Sequence, residues 1–528
     1  MGFTAFLLLC HVQACDGSRL KAKLGPEEIH YQKVHRPTLS DIQFPTALFL
    51  PFHEGDSALP QYARLFRAFQ QAIIAGHLHP GTKLPASRPL CAELGISRNT
   101  VKAAYEMLHS EGYVETRQGA GSFVATDLPE LRGSNQLDSK GTMPQASPKL
   151  SALASQLTDV RPPNQTPQGA LLLPAQPCIA SFPWHQWQRA VARAGRQMKH
   201  QQNSVMGNLL LREQIASYLR VVRGVKCNAE QIMVCSGSQQ AMFLALRLLV
   251  DQGETVLTED PCYQGVDGAV LAAGAVKIPV PVDEQGIRLE DGLAQAPDAR
   301  VVMVTPSRNH PLGYTLSLER RLQLLQWAQQ SGSWLIEDDY DSEFRFDHPP
   351  LTSLQGLGGE DVVIYTGTFS RILHPGIRLG YMVVPQPLLE MAKRAKTYME
   401  GGNSILPQLA LAEFMANGQF ASHVRRMRKL YQQRRNYLHT LVKDKFGDYF
   451  ELIESDGGMH SVYLIPQHWS DSDIRNRCEE QGLGIRDLSR YFIAQAPIKG
   501  LILGFAGYSE EQILTAVNRL KKIIDAYA

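Results

Sequence analysis

Long apolar runs, paired cysteines and an excess of charge of one sign are all missing from this 528-residue sequence. No run approaches the roughly 18 apolar residues that a membrane-spanning helix needs, which excludes such a segment. The eight cysteines show no C-x-x-C spacing, which argues against a zinc knuckle or a disulfide framework and suits a reducing cytoplasm. The formal net charge of +2 confines any nucleic-acid site to a local basic face. The sequence contains no repeat of fixed period, so we do not expect a solenoid.

The composition is that of a folded protein, with 44% hydrophobic and 20% charged residues. The length predicts about three to four domain-sized units. Residues 1–47 carry no domain pattern, so we expect an extension without a packed fold or a start codon placed too far upstream. A secretory or lipoprotein leader ending before Cys15 fits poorly, because no lysine or arginine precedes its short apolar stretch.

Residues 48–126 have the pattern of a winged helix-turn-helix. Apolar residues at helical spacing predict a helix over 61–75, and Ser87 and Ser97 are placed to cap two shorter helices joined by a tight turn. A glycine-containing turn at 118–121, with a short strand on either side, completes the pattern as a wing.

The second helix of a helix-turn-helix enters the major groove, so its first residues are the candidates for DNA contact. Arginine can bond guanine, asparagine can bond adenine, and hydroxyls can hold phosphate. Residues 61–125 contain seven lysines or arginines against four glutamates, a local surplus of three. An ordinary solvated helix face is the alternative, which the complete arrangement disfavours. The candidates are Ser97, Arg98, Asn99, Thr100 and Lys102, with Arg88 before them and Arg117 in the wing.

This segment also resembles the GntR family of bacterial regulators along the whole winged helix. The matching residues, 81–125, read GTKLPASRPLCAELGISRNTVKAAYEMLHSEGYVETRQGAGSFVA. The resemblance implies operator-DNA binding through the start of the recognition helix, through Arg88 and through the glycine-rich wing, where it adds Gly119.

A second, larger domain follows a change in composition. Residues 127–170 are rich in proline, serine, glutamine and glycine, which predicts a linker. From 171 to 528, strand-like apolar runs alternate with helical stretches, which predicts an α/β fold with a mostly parallel sheet. The clearest strand-like runs are 232–234, 255–257, 301–304, 333–336 and 362–365.

Three groups of residues in this domain are typical of a phosphate- and ring-binding site. SGSQQ at 236–240 follows a predicted strand and opens a helix whose amides can hold phosphate, although such a turn alone is more often only a helix cap. EDDY at 337–340 places a carboxylate at a strand end, where it can pair with a protonated ring nitrogen. YTGTFSR at 365–371 and PGIRLGY at 375–381 supply hydroxyls and arginines of the phosphate-clamping type.

These motifs resemble those of fold-type I pyridoxal-phosphate enzymes, and with the GntR-like head the chain from 48 onward resembles the MocR-type regulators. The resemblance implies an aminotransferase-like domain that binds an effector, forms a head-to-tail homodimer and offers a site for pyridoxal 5'-phosphate. The implied cofactor contacts are Gly237, Ser238 and Gln239 with the phosphate, Tyr263 near the ring, Asp338 with the ring nitrogen, Tyr340 with the ring hydroxyl, and Thr368 and Arg378 completing the phosphate cup.

The decisive departure from this family is Arg371, which stands where its G-S/T-F-S-K motif places the lysine that forms a Schiff base. A Schiff base requires an amine that can lose its proton, whereas a guanidinium stays protonated. We therefore assign no catalytic residue. The nearest later lysines, Lys393 and Lys396, lie in a different predicted helix and offer no obvious substitute.

Other departures indicate a remodelled pocket. Arg308 and Leu312 replace a usual histidine and threonine, and the loop at 202–212 lacks most of the expected glycines and prolines. Two interpretations stay open: Arg371 binds an anionic ligand, including noncovalent pyridoxal 5'-phosphate, or the cavity is a relic that only supports dimerisation. The retained ring and phosphate residues favour the first. Arg490 is either a substrate-carboxylate arginine or part of a surface ion pair.

The sequence thus predicts a cytoplasmic transcription regulator that binds operator DNA and senses a small molecule without Schiff-base catalysis. Its expected partners are DNA, a small-molecule effector and a second copy of the chain, with no metal site and no membrane contact. The alternative is an active pyridoxal-phosphate aminotransferase with an appended DNA-binding head.

Overall fold

The computed structural model describes residues 59–117, 119–128, 149–157, 169–200 and 204–527. They fall into two compact units, within residues 1–147 and 148–528. The predictions for residues 1–47, for most of the linker and for the first residues of the loop at 202–212 lie outside the described residues. The domain and linker boundaries therefore stay predictions.

The described residues of the first unit form three helices and a two-stranded hairpin, as predicted for a winged helix-turn-helix. Its core is formed by the apolar faces of the helices together with the hairpin, and Leu65, Leu90, Val101 and Leu108 are completely buried. β1 pairs with β2 in antiparallel fashion. The elements are α1 (Gln61–Ile74), α2 (Ser87–Leu94), α3 (Arg98–Ser110), β1 (Val114–Arg117) and β2 (Gly121–Val124).

The two serines expected to act as caps behave differently. Ser97 caps α3, since its Oγ accepts the backbone N–H of Thr100 at 3.1 Å. The prediction that Ser87 caps α2 is wrong: the cap position is Ala86, and Ser87 is already the first helical residue. Its hydroxyl oxygen instead accepts Nε–H of Arg98 at 3.4 Å, which links the starts of the two helices.

Within the predicted linker, one described segment is helical. This is α4 (Ala152–Leu157), a short helix in which no residue is buried. Ser151 stabilises its start, because its Oγ accepts the backbone N–H of Ala154 at 3.1 Å. The proline-poor stretch around it, SALASQL, explains why a helix forms here.

The second unit contains two sheets and the helices that cover them. The large sheet consists of β3 (Ile232–Cys235), β4 (Thr255–Asp260), β5 (Val276–Asp283), β6 (Gly286–Ile287), β7 (Val301–Val304), β8 (Trp334–Asp339), β9 (Val363–Thr368) and β10 (Gly380–Val383). The small sheet consists of β11 (Glu451–Ile453), β12 (His460–Leu464), β13 (Arg486–Asp487) and β14 (Gly500–Gly504). The helices are α5 (Trp184–Gln197), α6 (Leu209–Arg223), α7 (Ser238–Leu249), α8 (Gln264–Ala273), α9 (Leu289–Gln295), α10 (Leu318–Ser331), α11 (Leu389–Met399), α12 (Ile405–Ala416), α13 (Gln419–Phe446), α14 (Asp471–Glu480) and α15 (Glu510–Asp525).

The large sheet is mostly parallel, which confirms the predicted fold class. Its eight strands follow the order β3-β10-β9-β8-β7-β4-β5-β6, and β10 runs antiparallel to both β3 and β9. The small sheet is antiparallel, in the order β11-β12-β14-β13. Apolar strands such as Ile232–Cys235 are buried along their whole length, as expected for a sheet covered on both faces.

Three strands extend further than the apolar pattern predicts, and each extension ends in polar residues that are nevertheless buried. β4 ends on Asp260, β8 on Asp339 and β9 on Thr368. These ends lie at the carboxyl edge of the parallel strands, where ligands bind in open α/β sheets. Among the described residues, no helix is both long and apolar enough to cross a membrane.

Candidate functional site

The candidate DNA-contacting residues form one exposed surface at the start of α3 and on the wing. Most of these side chains are open to solvent and only Thr100 is half-buried. Their exposure follows from helix geometry, since Val101, Ala104 and Leu108 occupy the inner face of the same helix. The exposed members are Arg88, Ser97, Arg98, Asn99, Lys102, Arg117 and Gly119.

A groove of about 710 Å³ lies between α3 and the wing, and it carries basic side chains on both walls. Lys102 lines it from the helix and Lys83 from the segment before α2. The guanidinium of Arg117 lies 4.7 Å from the centroid of the Phe123 ring, which holds it on the hairpin surface. Helix start, groove and wing together offer phosphate-binding cations beside residue types that bond base edges.

A second candidate site is a cavity of about 230 Å³ in the second unit. It lies where β3, β4, β7, β8 and β9 end and their following loops meet. All of the residues predicted to bind the cofactor line this one cavity, although they come from four separate segments of the chain, 237–239, 263, 338–340 and 368–378. The lining residues are Ala175, Gln176, Pro177, Gly237, Ser238, Gln239, Tyr263, His310, Asp338, Tyr340, Thr368, Ser370, Arg371, Pro375 and Arg378.

One end of the cavity is built for an anion. Gly237 is the cap residue of α7 and has a φ of 105°, so the helix amides begin at the cavity wall. Arg378 donates from Nη2 to the main-chain oxygen of Ser236 at 3.2 Å, which fixes its guanidinium beside this helix start. The Oγ of Ser370 is buried without a hydrogen-bond partner among the described residues.

Arg378 holds an unusual backbone conformation. Its φ of 52° and ψ of 40° place a non-glycine residue in the left-handed region. Such strain costs about 1–3 kcal/mol and persists where the surrounding structure imposes it, often at ligand sites. In this conformation the side chain of Arg378 reaches Ser236, just before the start of α7.

Asp338 lies in another part of the cavity and is only 7% exposed. Its Oδ1 accepts the hydroxyl of Thr366 at 2.9 Å from the neighbouring strand. Burial raises the pKa of Asp338 to about 6, while the hydroxyl of Thr366 and the positive charge of Arg371 oppose that rise. The carboxylate is therefore ionised at neutral pH and can pair with a protonated ring nitrogen.

Aromatic rings form the wall between these parts. The ring of His310 contacts that of Tyr263 edge-on, with centroids 5.9 Å apart, and that of Tyr340 in the same way at 6.0 Å. Burial and the neighbouring Arg308 and Arg371 lower the pKa of His310 to about 3, so the imidazole is neutral. A flat aromatic ligand suits this wall.

Arg371 lines the cavity, and its guanidinium is hydrogen-bonded to the main chain. It donates from Nη1 to the carbonyl oxygen of Ala175 at 2.7 Å. Among the described residues, no carboxylate forms an ion pair with it. Arg371 therefore presents a positive charge to the cavity without a direct carboxylate partner, and this charge acts on the nearby Asp338.

No lysine of the described residues lines the cavity. Lys396 is 1% exposed and lies beneath β3, where its Nζ donates to the main-chain oxygen of Val205 at 2.8 Å and to Oδ1 of Asn403 at 2.6 Å. Lys393, on the same helix, is exposed. Within the described residues, neither lysine identified from the sequence is placed to replace Arg371.

The other arginines singled out from the sequence lie outside the cavity lining. Arg308 is 5% exposed and forms an ion pair with Asp341 at 3.3 Å, and it also donates to the hydroxyl of Tyr340 at 3.3 Å. Arg490 lies 3.7 Å from Asp487. Each of these two guanidinium groups therefore lies beside a carboxylate of the protein itself.

Some lining residues were not among the predicted site residues. Ser370 lies inside the quoted motif YTGTFSR, and His310 lies between the two noted departures at Arg308 and Leu312, but neither residue was assigned a role from the sequence. The segment 175–177 lies far upstream in the chain and carries no motif. Only the fold brings it to the cavity, where Ala175 receives the hydrogen bond from Arg371.

The cavity fits the noncovalent part of a pyridoxal-phosphate site. The amides at the start of α7, the unpartnered Ser370 hydroxyl and Arg378 suit a phosphate, and Asp338 suits a ring nitrogen. A lysine amine, which the covalent part requires, is not among the lining residues in the part of the chain that the structure describes. No group of three or more histidine, cysteine or acidic residues suited to a metal ion occurs in the described part of the chain.

Comparisons with known proteins agree with this two-unit arrangement. Residues 61–124 match the family described as bacterial regulatory proteins, gntR family, and residues 181–520 match the aminotransferase class I and II family. The chain is 37% identical to the probable rhizopine catabolism regulatory protein MocR of Rhizobium meliloti, over 89% of this chain and 94% of that protein. It is 31% identical to the HTH-type pyridoxine biosynthesis transcriptional regulator PdxR of Corynebacterium glutamicum, over 87% and 94%.

A solved structure resembles the second unit. The α-aminoadipate aminotransferase LysN of Thermus thermophilus, complexed with N-(5'-phosphopyridoxyl)-L-leucine, has a TM-score of 0.63 and is 25% identical. The match covers 71% of this chain and 95% of that one. The likeness therefore extends over nearly the whole of that aminotransferase.

Proposed function

Because this chain belongs to the MocR-type transcriptional regulators, in which a GntR-type DNA-binding domain precedes an aminotransferase-like domain, we propose that it is a ligand-sensing regulator without covalent catalysis. The winged helix binds operator DNA, as GntR-type regulators do. The second domain binds a small molecule, either pyridoxal 5'-phosphate or an amine- or amino-acid-related ligand. It also joins two copies of the chain into a homodimer.

One observation carries this proposal: a guanidinium occupies the cavity where covalent capture requires an amine. Gly237, Asp338, Thr368 and Arg378 line the same cavity as Arg371, so the ring- and phosphate-binding groups are retained together. Ring- and phosphate-binding groups without a lysine are what a cavity needs if it binds its ligand but forms no covalent bond to it. A relic cavity would not be expected to keep an unpaired arginine and a strained Arg378 at one site.

Each group in the cavity has a role in holding pyridoxal phosphate. The amides of Ser238 and Gln239, with Thr368 and Arg378, hold the phosphate, Asp338 holds the proton on the ring nitrogen, and Tyr263 packs on the ring. When bound to a lysine, this cofactor supplies an electron sink for reactions at an amino-acid α-carbon. Arg371 cannot release a proton at neutral pH, so this chain orients the group without opening that chemistry.

Regulation requires that the ligand bind one arrangement of the protein more tightly than another, since only differential affinity shifts a conformational equilibrium. The cavity is lined by six segments of the second unit, so a ligand that bridges them favours one set of loop positions. This change in loop positions in turn alters how the dimer presents its two winged helices to DNA.

Selection of bound duplexes from a random pool by the purified full chain tests the DNA-binding half of the proposal. We expect enrichment of one sequence, and a shift of its affinity when pyridoxamine 5'-phosphate or pyridoxal 5'-phosphate is added at constant salt. Binding without any enriched sequence would contradict the regulator function. Sensing of this ligand class would be contradicted if the protein's affinity for the enriched sequence did not change with either compound and calorimetry showed that neither compound binds.

A further inference from the structure

We propose that Ser87 is a positioning residue for DNA readout: its hydroxyl holds the guanidinium of Arg98 so that this arginine reads a guanine through Nη1 and Nη2. This inference deepens the proposed function and rests on it. It gives a role in specificity to a residue of α2, although the side chains that contact base edges in a helix-turn-helix come from the second helix. It also gives Arg98 and Lys102 different tasks on the same helix.

The side chains of Ser87 and Arg98 connect the two helices of the helix-turn-helix at their starts. Oγ of Ser87 accepts Nε–H of Arg98 at 3.4 Å, although the two residues are 11 positions apart in the sequence. Each of them is the first residue of its helix. Because the first turn of the second helix carries the side chains that contact base edges, the bond acts directly on the reading end of α3.

The segment that leads into Ser87 is attached to the rest of the unit on two sides. The hydroxyl of Tyr105, a residue of α3, donates to the main-chain oxygen of Pro85 at 2.8 Å. The backbone N–H of Leu84 donates to the main-chain oxygen of Ser122 at 2.9 Å, which joins the segment to β2. The hydroxyl of Ser87 therefore starts from a main chain whose position relative to α3 is defined.

The bond also decides which donors of Arg98 are left for DNA. A guanidinium carries N–H groups on Nε, Nη1 and Nη2, and Ser87 accepts the one on Nε. The groups on Nη1 and Nη2 bond to none of the described residues, and the side chain is exposed. These two nitrogens form a planar fork that matches O6 and N7 of guanine. With Nε occupied, Arg98 is expected to read guanine through this fork.

The neighbouring polar side chains on the exposed face of α3 are not held in this way. Within the described part of the chain, the side chains of Asn99 and Lys102 form no hydrogen bond or ion pair, and both are exposed. A lysine acts as a point charge on a flexible stem, which suits a phosphate, whereas a guanidinium already held in place loses less conformational freedom when it bonds a base. We therefore expect Arg98 to carry sequence preference and Lys102 to add affinity that is independent of sequence.

A specificity ratio measured on the full chain tests this positioning role. The probes are the duplex that the wild type selects from a random pool and a scrambled duplex of the same length and composition, and fluorescence anisotropy at one salt concentration gives the ratio of the two affinities. Ser87→Ala should lower this ratio about three- to tenfold, because the guanidinium then has to be ordered on binding, and should leave the affinity for the scrambled duplex unchanged. Ser87→Thr keeps an acceptor and should retain the wild-type ratio. Ser110→Ala removes an exposed hydroxyl at the other end of α3 and is the matched control.

Two further measurements tie the effect to Arg98. In an Arg98→Ala background, Ser87→Ala should leave the ratio unchanged, since the group that it positions is missing. The guanines of the selected duplex are also replaced one at a time by 7-deazaguanine, which lacks the N7 acceptor. At the guanine that Arg98 reads, this replacement should weaken binding of the wild type, have a smaller effect on Ser87→Ala and have no effect on Arg98→Ala.

The outcomes separate this inference from the proposed function. An unchanged ratio in Ser87→Ala, or the same loss in the Arg98→Ala background, would overturn the positioning role while leaving operator binding intact. An equal loss on both duplexes would overturn it as well, because the hydroxyl would then be a phosphate contact. If the wild type enriches no sequence, the proposed function fails and this inference fails with it. Circular dichroism of each variant checks folding.

Discussion

Thr366 donates its hydroxyl to Asp338 at 2.9 Å across the pair of strands β8 and β9. The two residues are directly opposite each other in the register, so the bond is set by the sheet and not by a loop. It occupies one carboxylate oxygen of a buried acid that also lines the cavity. The strand pairing thus fixes both the direction and the proton affinity of the group proposed to hold the ring nitrogen.

Binding of pyridoxamine 5'-phosphate should depend on the ionisation of Asp338. Because the pKa of this carboxyl is about 6 in the free protein, we expect affinity to fall as the pH drops below about 6. Thr366→Val removes a hydrogen bond that lowers the pKa, so the fall should begin at higher pH. Calorimetric titrations between pH 5 and pH 8 check this, and an identical profile for the two proteins would contradict the role of Thr366.

The same carboxyl should make the ligand-free protein less stable at high pH. Its folded-state pKa of about 6 lies above its ordinary value of 3.8, so its contribution to stability is present below pH 3.8 and lost as the pH rises through about 6. Asp338→Asn removes the buried charge and keeps an acceptor for Thr366. We expect it to stabilise the protein by about 1–3 kcal/mol at pH 8 and by less at pH 5. Thermal unfolding of both proteins at the two pH values measures this stabilisation. An equal stabilisation at pH 5 and pH 8 would contradict the role assigned to the ionisation of Asp338.

Arg98 should contribute to operator affinity through its exposed guanidinium at the start of α3. Arg98→Ala is expected to weaken specific binding by about 1–3 kcal/mol if the residue reads a base. Arg67→Ala changes another exposed arginine of the same unit, on α1 and outside the candidate surface, and serves as the control. Fluorescence anisotropy with the selected duplex gives both affinities. Equal losses in the two variants would argue for a general charge effect in place of specific contact.

Lys396 should stabilise the turn that begins α7. Its Nζ donates a hydrogen bond to Oδ1 of Asn403, and Nδ2 of Asn403 in turn donates to Oγ of Ser236 at 2.7 Å. Lys396→Met leaves buried acceptors without a donor, which costs about 1–3 kcal/mol, and should lower the melting temperature and weaken binding of pyridoxamine 5'-phosphate. Lys393→Met alters the exposed lysine of the same helix and should change neither. A Lys396→Met protein with wild-type melting and binding would refute this positioning role.

The fold was predictable where local patterns decide it. The helical spacing of apolar residues and the cap at Ser97 define the winged helix, and continuous apolar runs define the parallel strands. The ends of β4, β8 and β9 were not predictable from periodicity, since Asp260, Asp338 and Thr368 are polar residues that are nevertheless buried, the last two of them at the cavity. Periodicity gives no signal for such positions.

The candidate cavity was partly predictable for a similar reason. Motifs that follow strands place Gly237, Asp338 and Arg371 at one edge of the sheet, because parallel strands share their carboxyl ends. The contribution of Ala175 depends on a long-range return of the chain, and the pairing of Arg308 with Asp341 depends on three-dimensional packing. No local spacing encodes either contact.

The replacement of an amine by a guanidinium at residue 371 can be examined directly by borohydride reduction followed by mass spectrometry. Wild-type protein saturated with pyridoxal 5'-phosphate is treated with borohydride, digested and searched for phosphopyridoxyl-lysine, with Arg371→Lys as the positive control. We expect calorimetric binding but no site-specific label in the wild type, and a label at residue 371 in the variant. A stoichiometric label on any lysine of the wild-type chain, lost when pyridoxamine 5'-phosphate competes for the cavity, would contradict noncovalent sensing.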